Sequence, residues 1–153
     1  MKLQWVEFEN LETGLKIERI YFNKDITLLV GLSGAGKTQV LNAVKYSLSL
    51  AVDKNTTLHP YSLVLIDEFE NGLGVNCIDI LCELMLSERN DLQLIITSHH
   101  PKIINAIDKE KWKIIERDGS VIRNRISQEL GIGNSQHDAY FNLINRWEFE
   151  GKI

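Results

Sequence analysis

Hydrophobic and polar positions alternate at the start of the chain, with Leu3, Trp5, Val6 and Phe8, a turn residue at Gly14, then Leu15, Ile17, Ile20 and Phe22. A period near two marks half-buried strands, so two short strands are predicted here. Ile26-Thr27-Leu28-Leu29-Val30 is a third apolar run and leads straight into a glycine-rich segment. From Lys37 to about Leu50 the period becomes helical, with Val40, Leu41, Val44 and Leu48 on one face. Leu63-Val64-Leu65-Ile66 and Leu92 to Thr97 (LQLIIT) are apolar runs of the kind that form parallel strands buried on both faces. Between them, Cys77 to about Glu88 places Ile78, Leu81, Cys82 and Met85 at helical spacing. A short helix is predicted after Pro101, because proline suits a first helical turn. Lys113 to Glu116 and Val121 to Arg125 flank Asp118-Gly119, a hairpin signal. The last patterned stretch, His137 to Glu148, carries Tyr140, Phe141, Leu143, Ile144 and Trp147 and reads as a docking helix or a partner surface. Strand and helix alternate through the middle, which predicts an α/β fold with a mostly parallel core sheet.

Composition narrows this picture. The 153 residues suit one domain, 1–153, large enough for a real core. A net charge of −4 argues against a dominant nucleic-acid footprint. The basic residues Lys102, Lys109, Lys111 and Lys113 form a modest cluster, the pattern of a solvated face. No apolar run reaches bilayer-spanning length and MKLQWVEFEN lacks a signal-peptide core, so a cytoplasmic location is expected. Cys77 and Cys82 lie on an apolar-periodic segment without a His/Cys cluster and read as buried small hydrophobes.

Three segments carry chemistry. The first is Gly31-Leu32-Ser33-Gly34-Ala35-Gly36-Lys37-Thr38, placed between a predicted strand and a predicted helix that continues with Gln39. This Gly-x-x-x-x-Gly-Lys-Thr pattern in that context is a phosphate-binding loop: backbone N–H groups converge on phosphate oxygens at a helix N-terminus. Lys37 is then expected to reach the β/γ-phosphates and the Thr38 hydroxyl to ligate Mg²⁺. The second is Asp67-Glu68 at the end of an apolar strand, where Asp67 supports Mg²⁺ and Glu68 can act as general base toward an attacking water. The third is Thr97-Ser98-His99-His100-Pro101, which places a hydroxyl and an imidazole at the exit of a parallel strand, on the edge where such sheets bind ligands.

In this order the three segments resemble the ATP-binding-cassette type of ATPase, in particular the soluble branch with the RecF, SMC and OLD families and related phage-defence ATPases. GLSGAGKT is similar to that branch's Walker A (31–38), LVLIDEFENGL to its Walker B (63–68) and following D-loop, and TSHHP (97–101) to its switch segment. The resemblance runs from about Met1 to Asp118. It implies a P-loop NTPase fold with an N-terminal antiparallel β layer beside the core sheet. It also implies ATP and Mg²⁺ as ligands, with Lys37 and Thr38 on phosphate and Mg²⁺ and Asp67 on Mg²⁺. Glu68 would be the catalytic base, His99 would lie on the γ-phosphate, and Asn71 to Leu73 would lie near a dimer interface.

The chain departs from that family between its first two motifs. Lys37 and Asp67 lie only thirty positions apart. After the first helix, the connection Ala51 to Tyr61 (AVDKNTTLHPY) can extend roughly 35 Å at about 3.3 Å per residue, enough to return to the sheet but not to build a helical lobe. No serine-glycine-rich signature segment is present in the sequence. In the family that segment caps the γ-phosphate held by a second protomer, the type of preorganised contact that stabilises developing charge. Slow hydrolysis by this chain alone, hydrolysis with a partner that supplies the signature, a nucleotide-dependent dimerisation switch and a deletion of the lobe are all open. The favoured expectation is a weak ATPase acting with a partner or as a homodimer, in DNA repair or anti-phage defence. The alternatives are a non-hydrolysing interaction module and a small P-loop kinase or GTPase.

Overall fold

The computed structural model describes residues 2–51, 62–71, 92–132 and 136–153. The predicted helix from Cys77 to Glu88, both cysteines, and positions 52–61 of the shortened connection lie outside the described residues. The elements in chain order are β1 (Trp5–Glu9), β2 (Lys16–Tyr21), β3 (Ile26–Val30), α1 (Lys37–Ala51), β4 (Ser62–Ile66), β5 (Leu92–Thr97), α2 (Pro101–Ala106), a 3₁₀ turn (Lys109–Lys111), β6 (Trp112–Asp118), β7 (Val121–Arg125) and α3 (Gln136–Phe149).

Seven strands form one sheet in the order β1-β2-β7-β6-β3-β5-β4. From β6 through β3 and β5 to β4 all neighbours run parallel, and the antiparallel pairs are β1–β2 and β6–β7. The N-terminal pair is antiparallel as expected, and it extends the core sheet sideways because β2 pairs parallel with β7. The sheet is mostly parallel with helices against its faces, the architecture of a P-loop NTPase.

Alternation along the strands sorts side chains into two cores, one per face. Leu29 of β3, Ile95 of β5, Ile115 of β6 and Ile122 of β7 join Val40, Leu41 and Val44 of α1, together with Val6, Ile17 and Ile20 of the N-terminal pair. The neighbouring positions Leu28, Val30, Leu94, Ile96 and Ile114 face the other way and pack with Ile103 and Ile104 of α2 and Leu143 and Trp147 of α3. The predicted face of α1 is therefore the buried one. The final patterned segment is a docking helix: Ala139 and Leu143 are fully buried, while Phe141 stays exposed.

Two details differ from the sequence pattern. The β6–β7 loop is Gly119-Ser120, one residue later than Asp118-Gly119, because Asp118 pairs with Val121 and Gly119 alone takes the left-handed conformation, at φ 58°. Residues 63–66 of β4 are half-buried and not fully enclosed. The polar residue within LQLIIT, Gln93, is also buried. Its side chain accepts the Leu3 N–H at 2.8 Å and donates to the carbonyls of Leu3 and Asn23, at 2.8 and 2.7 Å, which stitches the N-terminal segment to β5.

Candidate phosphate site at the sheet edge

β3, β4 and β5 are parallel, so their C-terminal ends lie at one edge, and the three motifs leave the sheet there. At the end of β3, residues 31–36 turn tightly, with the Ala35 N–H donating to the Leu32 carbonyl at 3.1 Å, before α1 begins at Lys37. Two glycines are required by packing. A Cβ on Gly31 would sit 2.6 Å from the Ile115 carbonyl oxygen, and Gly36, at φ 101°, has Ile122 directly where its Cβ would go. The loop is thus pressed against β6 and β7. The first turn of α1 carries no acidic side chain, so its N-terminal N–H groups and dipole face no carboxylate of their own.

Lys37 folds back over the loop and donates to the carbonyls of Gly31 (2.8 Å) and Leu32 (2.9 Å). It is only 6% exposed. Burial pushes its ammonium below the ordinary lysine range, against the opposing pull of Asp67, Glu68 and Glu70. Thr38 donates its hydroxyl to Asp67 Oδ2 at 2.8 Å, joining the first motif to the second.

Thr97, fully buried at the end of β5, ties in the third. Its hydroxyl donates to Asp67 Oδ1 at 2.7 Å and accepts the Glu68 N–H at 2.7 Å. Both Asp67 oxygens therefore receive a threonine hydroxyl, which fixes the carboxylate's orientation. Beyond it the chain turns sharply. Glu68 is at φ 50°, a left-handed conformation that costs a side-chain-bearing residue about 1–2 kcal/mol. The turn is held by the Phe69 N–H on the Thr97 carbonyl (3.0 Å) and the Asn71 N–H on the Glu68 carbonyl (2.8 Å). The buried Phe69 ring anchors it, and the Asn71 amide donates to the Glu68 carboxylate.

The result is a cleft of about 280 Å³ lined by Gly34, Gly36, Lys37, Thr38, Asp67, Glu68 and His99, with Ser33 and Gln39 at its border. The remaining loop residues in the motif, Leu32 and Ala35, support it, with Ala35 buried toward α1. His99 is exposed into this space, whereas His100 is structural: it caps α2, accepting the Lys102 N–H on Nδ1 at 3.2 Å. A larger cleft of about 690 Å³ borders Leu32 to Ala35 on the side of the β6–β7 hairpin. Its Arg123 and Lys152 are already paired with Glu18 (3.1 Å) and Glu116 (2.9 Å), so the smaller cleft is the one that gathers the reactive groups.

Sequence reading missed Thr97 as a linchpin and missed Glu70 altogether. Glu70 Oε1 accepts the His99 N–H at 2.6 Å. Burial works to raise the Glu70 carboxyl, but the N–H groups of His99 and of Glu70 itself, together with the Ser98 side chain, outweigh it and hold the group below the usual carboxylate range. Tyr140 of α3, half-buried on the same side of the sheet, is raised above the ordinary phenol range by burial and by the Glu70 charge. The DEFE string alone offers a signal for an acid two residues after Glu68, but not for what it touches.

The Thr38 hydroxyl and Asp67 carboxylate are adjacent hard oxygens at the mouth of a phosphate loop. Mg²⁺ on nucleotide phosphates usually takes only one or two protein oxygens, the rest of its shell being phosphate and water, and this pair fits it. Among the described residues no helix is long and apolar enough to cross a membrane. Residues 50–105 match the family model described as "AAA domain, putative AbiEii toxin, Type IV TA system", a segment that takes in the Asp67-Glu68 and His99 motifs and begins after the phosphate loop. A comparison with curated proteins gives no match. The chain is therefore similar over that segment to an AAA domain, and together with the phosphate loop upstream it is a nucleotide-binding, P-loop ATPase-like domain.

Proposed function

We propose that the chain is a Mg²⁺-dependent ATPase of low intrinsic turnover that works with a second protein or a second copy of itself. The observation that supports this reading best is the convergence of Glu68, His99, Asp67, Thr38 and Lys37 on one small cleft. Binding alone requires the loop, Lys37 and the metal ligands. It does not require a carboxylate held at a left-handed turn in that cleft, with an imidazole lining the same space.

Each group has a task. The loop N–H groups and Lys37 hold the triphosphate, Lys37 exchanging its two carbonyl acceptors for phosphate oxygens. Thr38 and Asp67 would hold Mg²⁺, which would supply neutralisation of phosphate charge. Glu68 accepts a proton from the attacking water, and His99 donates toward the γ-phosphate oxygens. A serine-glycine-rich signature segment is absent from the sequence, so a partner would supply its transition-state donor. The description of the matching family names a type IV toxin–antitoxin system.

The test is phosphate release from Mg-ATP by the wild type and Glu68→Gln, each alone and with co-purified proteins. Slow turnover that the partner accelerates and Glu68→Gln abolishes is expected. Unchanged turnover in Glu68→Gln would move the base elsewhere. No turnover under any condition, with binding intact, would reduce the protein to a nucleotide-binding module.

A further inference from the structure

We propose that Glu70 is the positioning residue for His99, holding the imidazole toward the phosphate cleft through the main chain of the switch segment. The inference rests on reading the cleft as a triphosphate site, and it assigns a task to a carboxylate which that reading leaves unused.

The geometry begins at Glu68. Its left-handed backbone reverses the chain immediately after the metal-binding Asp67, and the buried Phe69 anchors the reversal. Glu70 is thereby brought back against the exit of β5, where Oε1 accepts the His99 N–H at 2.6 Å across 29 residues of sequence. The acceptor is charged, and a hydrogen bond to an ionised carboxylate is shorter and stronger than one between neutral groups. The carboxylate is also committed to this place: the Ser98 side chain hydrogen-bonds to it as well, and Oε2 is buried.

On the other side of His99 the backbone is equally fixed. The His100 N–H donates to Ser98 Oγ at 3.0 Å, and the His100 ring caps α2. His99 is therefore a single exposed residue between two anchored points, one of which is Glu70. Removing the Glu70 acceptor frees the peptide that carries the imidazole while keeping the hydrogen bonds of Lys37, Thr38 and Asp67. Triphosphate affinity and γ-phosphate chemistry should separate.

The experiment compares wild type with Glu70→Ala, Glu70→Gln and Glu70→Asp in three readouts: Mg-ATP affinity by calorimetry, hydrogen exchange at the His99 amide without nucleotide, and steady-state hydrolysis. Affinity should stay within about threefold in all variants, since the phosphate loop and Lys37, which hold the triphosphate, are kept. In Glu70→Ala, exchange at His99 should speed up and kcat should fall, each by about tenfold or more, with KM retained. Glu70→Gln keeps an acceptor of the same reach without the charge and should recover part of both. Glu70→Asp keeps the charge but is one methylene short, and should resemble Glu70→Ala. Wild-type exchange and kcat in Glu70→Ala, or recovery by Asp and not by Gln, would overturn the proposal. If Glu70→Ala does not fold, the Gln and Asp pair still decides. If the wild type binds no triphosphate, the reading of the cleft fails, and the exchange measurement judges the Glu70–His99 hold by itself.

Discussion

Thr97→Val removes one oxygen and tests whether the three motifs are a single hydrogen-bonded unit. The Thr97 hydroxyl is fully buried, donates to Asp67 and accepts the Glu68 N–H. Valine keeps the branched shape, so packing changes little. Two hydrogen bonds are lost, one to a charged group worth about 1.5–3 kcal/mol, and a main-chain N–H at the strained Glu68 turn is left unpaired at about 1–3 kcal/mol. Because both act through the same oxygen their costs overlap, and a loss of about 2–4 kcal/mol is expected. At this chain length that lowers the melting temperature by roughly 5–15 °C. The assay is urea unfolding without nucleotide, backed by thermal melting, with Thr97→Ser as the control. Serine retains the hydroxyl and loses a methyl group, about 1 kcal/mol. A Thr97→Val protein within about 0.5 kcal/mol of wild type, the range of an unremarkable surface change, would refute the linkage. So would a Thr97→Ser protein destabilised as much as the valine variant.

Other outcomes follow from the same geometry. Gly36→Ala forces a Cβ into Ile122 at φ 101° and should cost about 1–3 kcal/mol in unfolding experiments while weakening Mg-ATP binding; wild-type affinity and stability together would show that the loop can move away from β7. Lys37→Met should match or exceed the wild type in stability without nucleotide, measured by urea unfolding, because it removes a buried ammonium whose environment disfavours charge. The sign of its pH dependence is set by the lowered lysine: between its folded value and the ordinary lysine range the unfolded chain binds more protons, so wild-type stability gains on Lys37→Met as pH rises through that window. A difference that widens with pH would reverse the assignment. The resemblance of the three motifs to ATP-binding-cassette ATPases implies that ATP displaces a labelled nucleotide better than GTP; a preference for GTP would support the GTPase alternative.

The parts of the site that were legible in the sequence are those made by neighbours in the chain. Gly31 to Thr38 reads as a phosphate loop because strand, turn and helix follow each other without interruption, and the required φ and close approaches fall on glycines. Asp67 and Glu68 are legible as the polar end of an apolar run. What joins them is not. The Thr38–Asp67 and Thr97–Asp67 bonds span 29 and 30 residues, and the Glu70–His99 bond 29, so no local spacing announces them. Gln93 interrupts an apolar strand for a reason located at Leu3, 90 residues away. The N-terminal strands show the same limit: alternation finds them, but their place beside β7 depends on a parallel pairing across about a hundred residues. The hairpin turn shifted by one position because Gly and not Asp takes the positive φ.

The central claim is that the cleft between Gly31–Thr38 and Asp67–Glu68 binds a nucleoside triphosphate with Mg²⁺ through Lys37. Isothermal calorimetry of Mg-ATP on the wild type and on Lys37→Ala, with both shown folded by circular dichroism, tests it most directly. Saturable one-to-one binding by the wild type, lost in Lys37→Ala, is expected. Equal affinity in the two proteins, or no binding by a folded wild type, would contradict it.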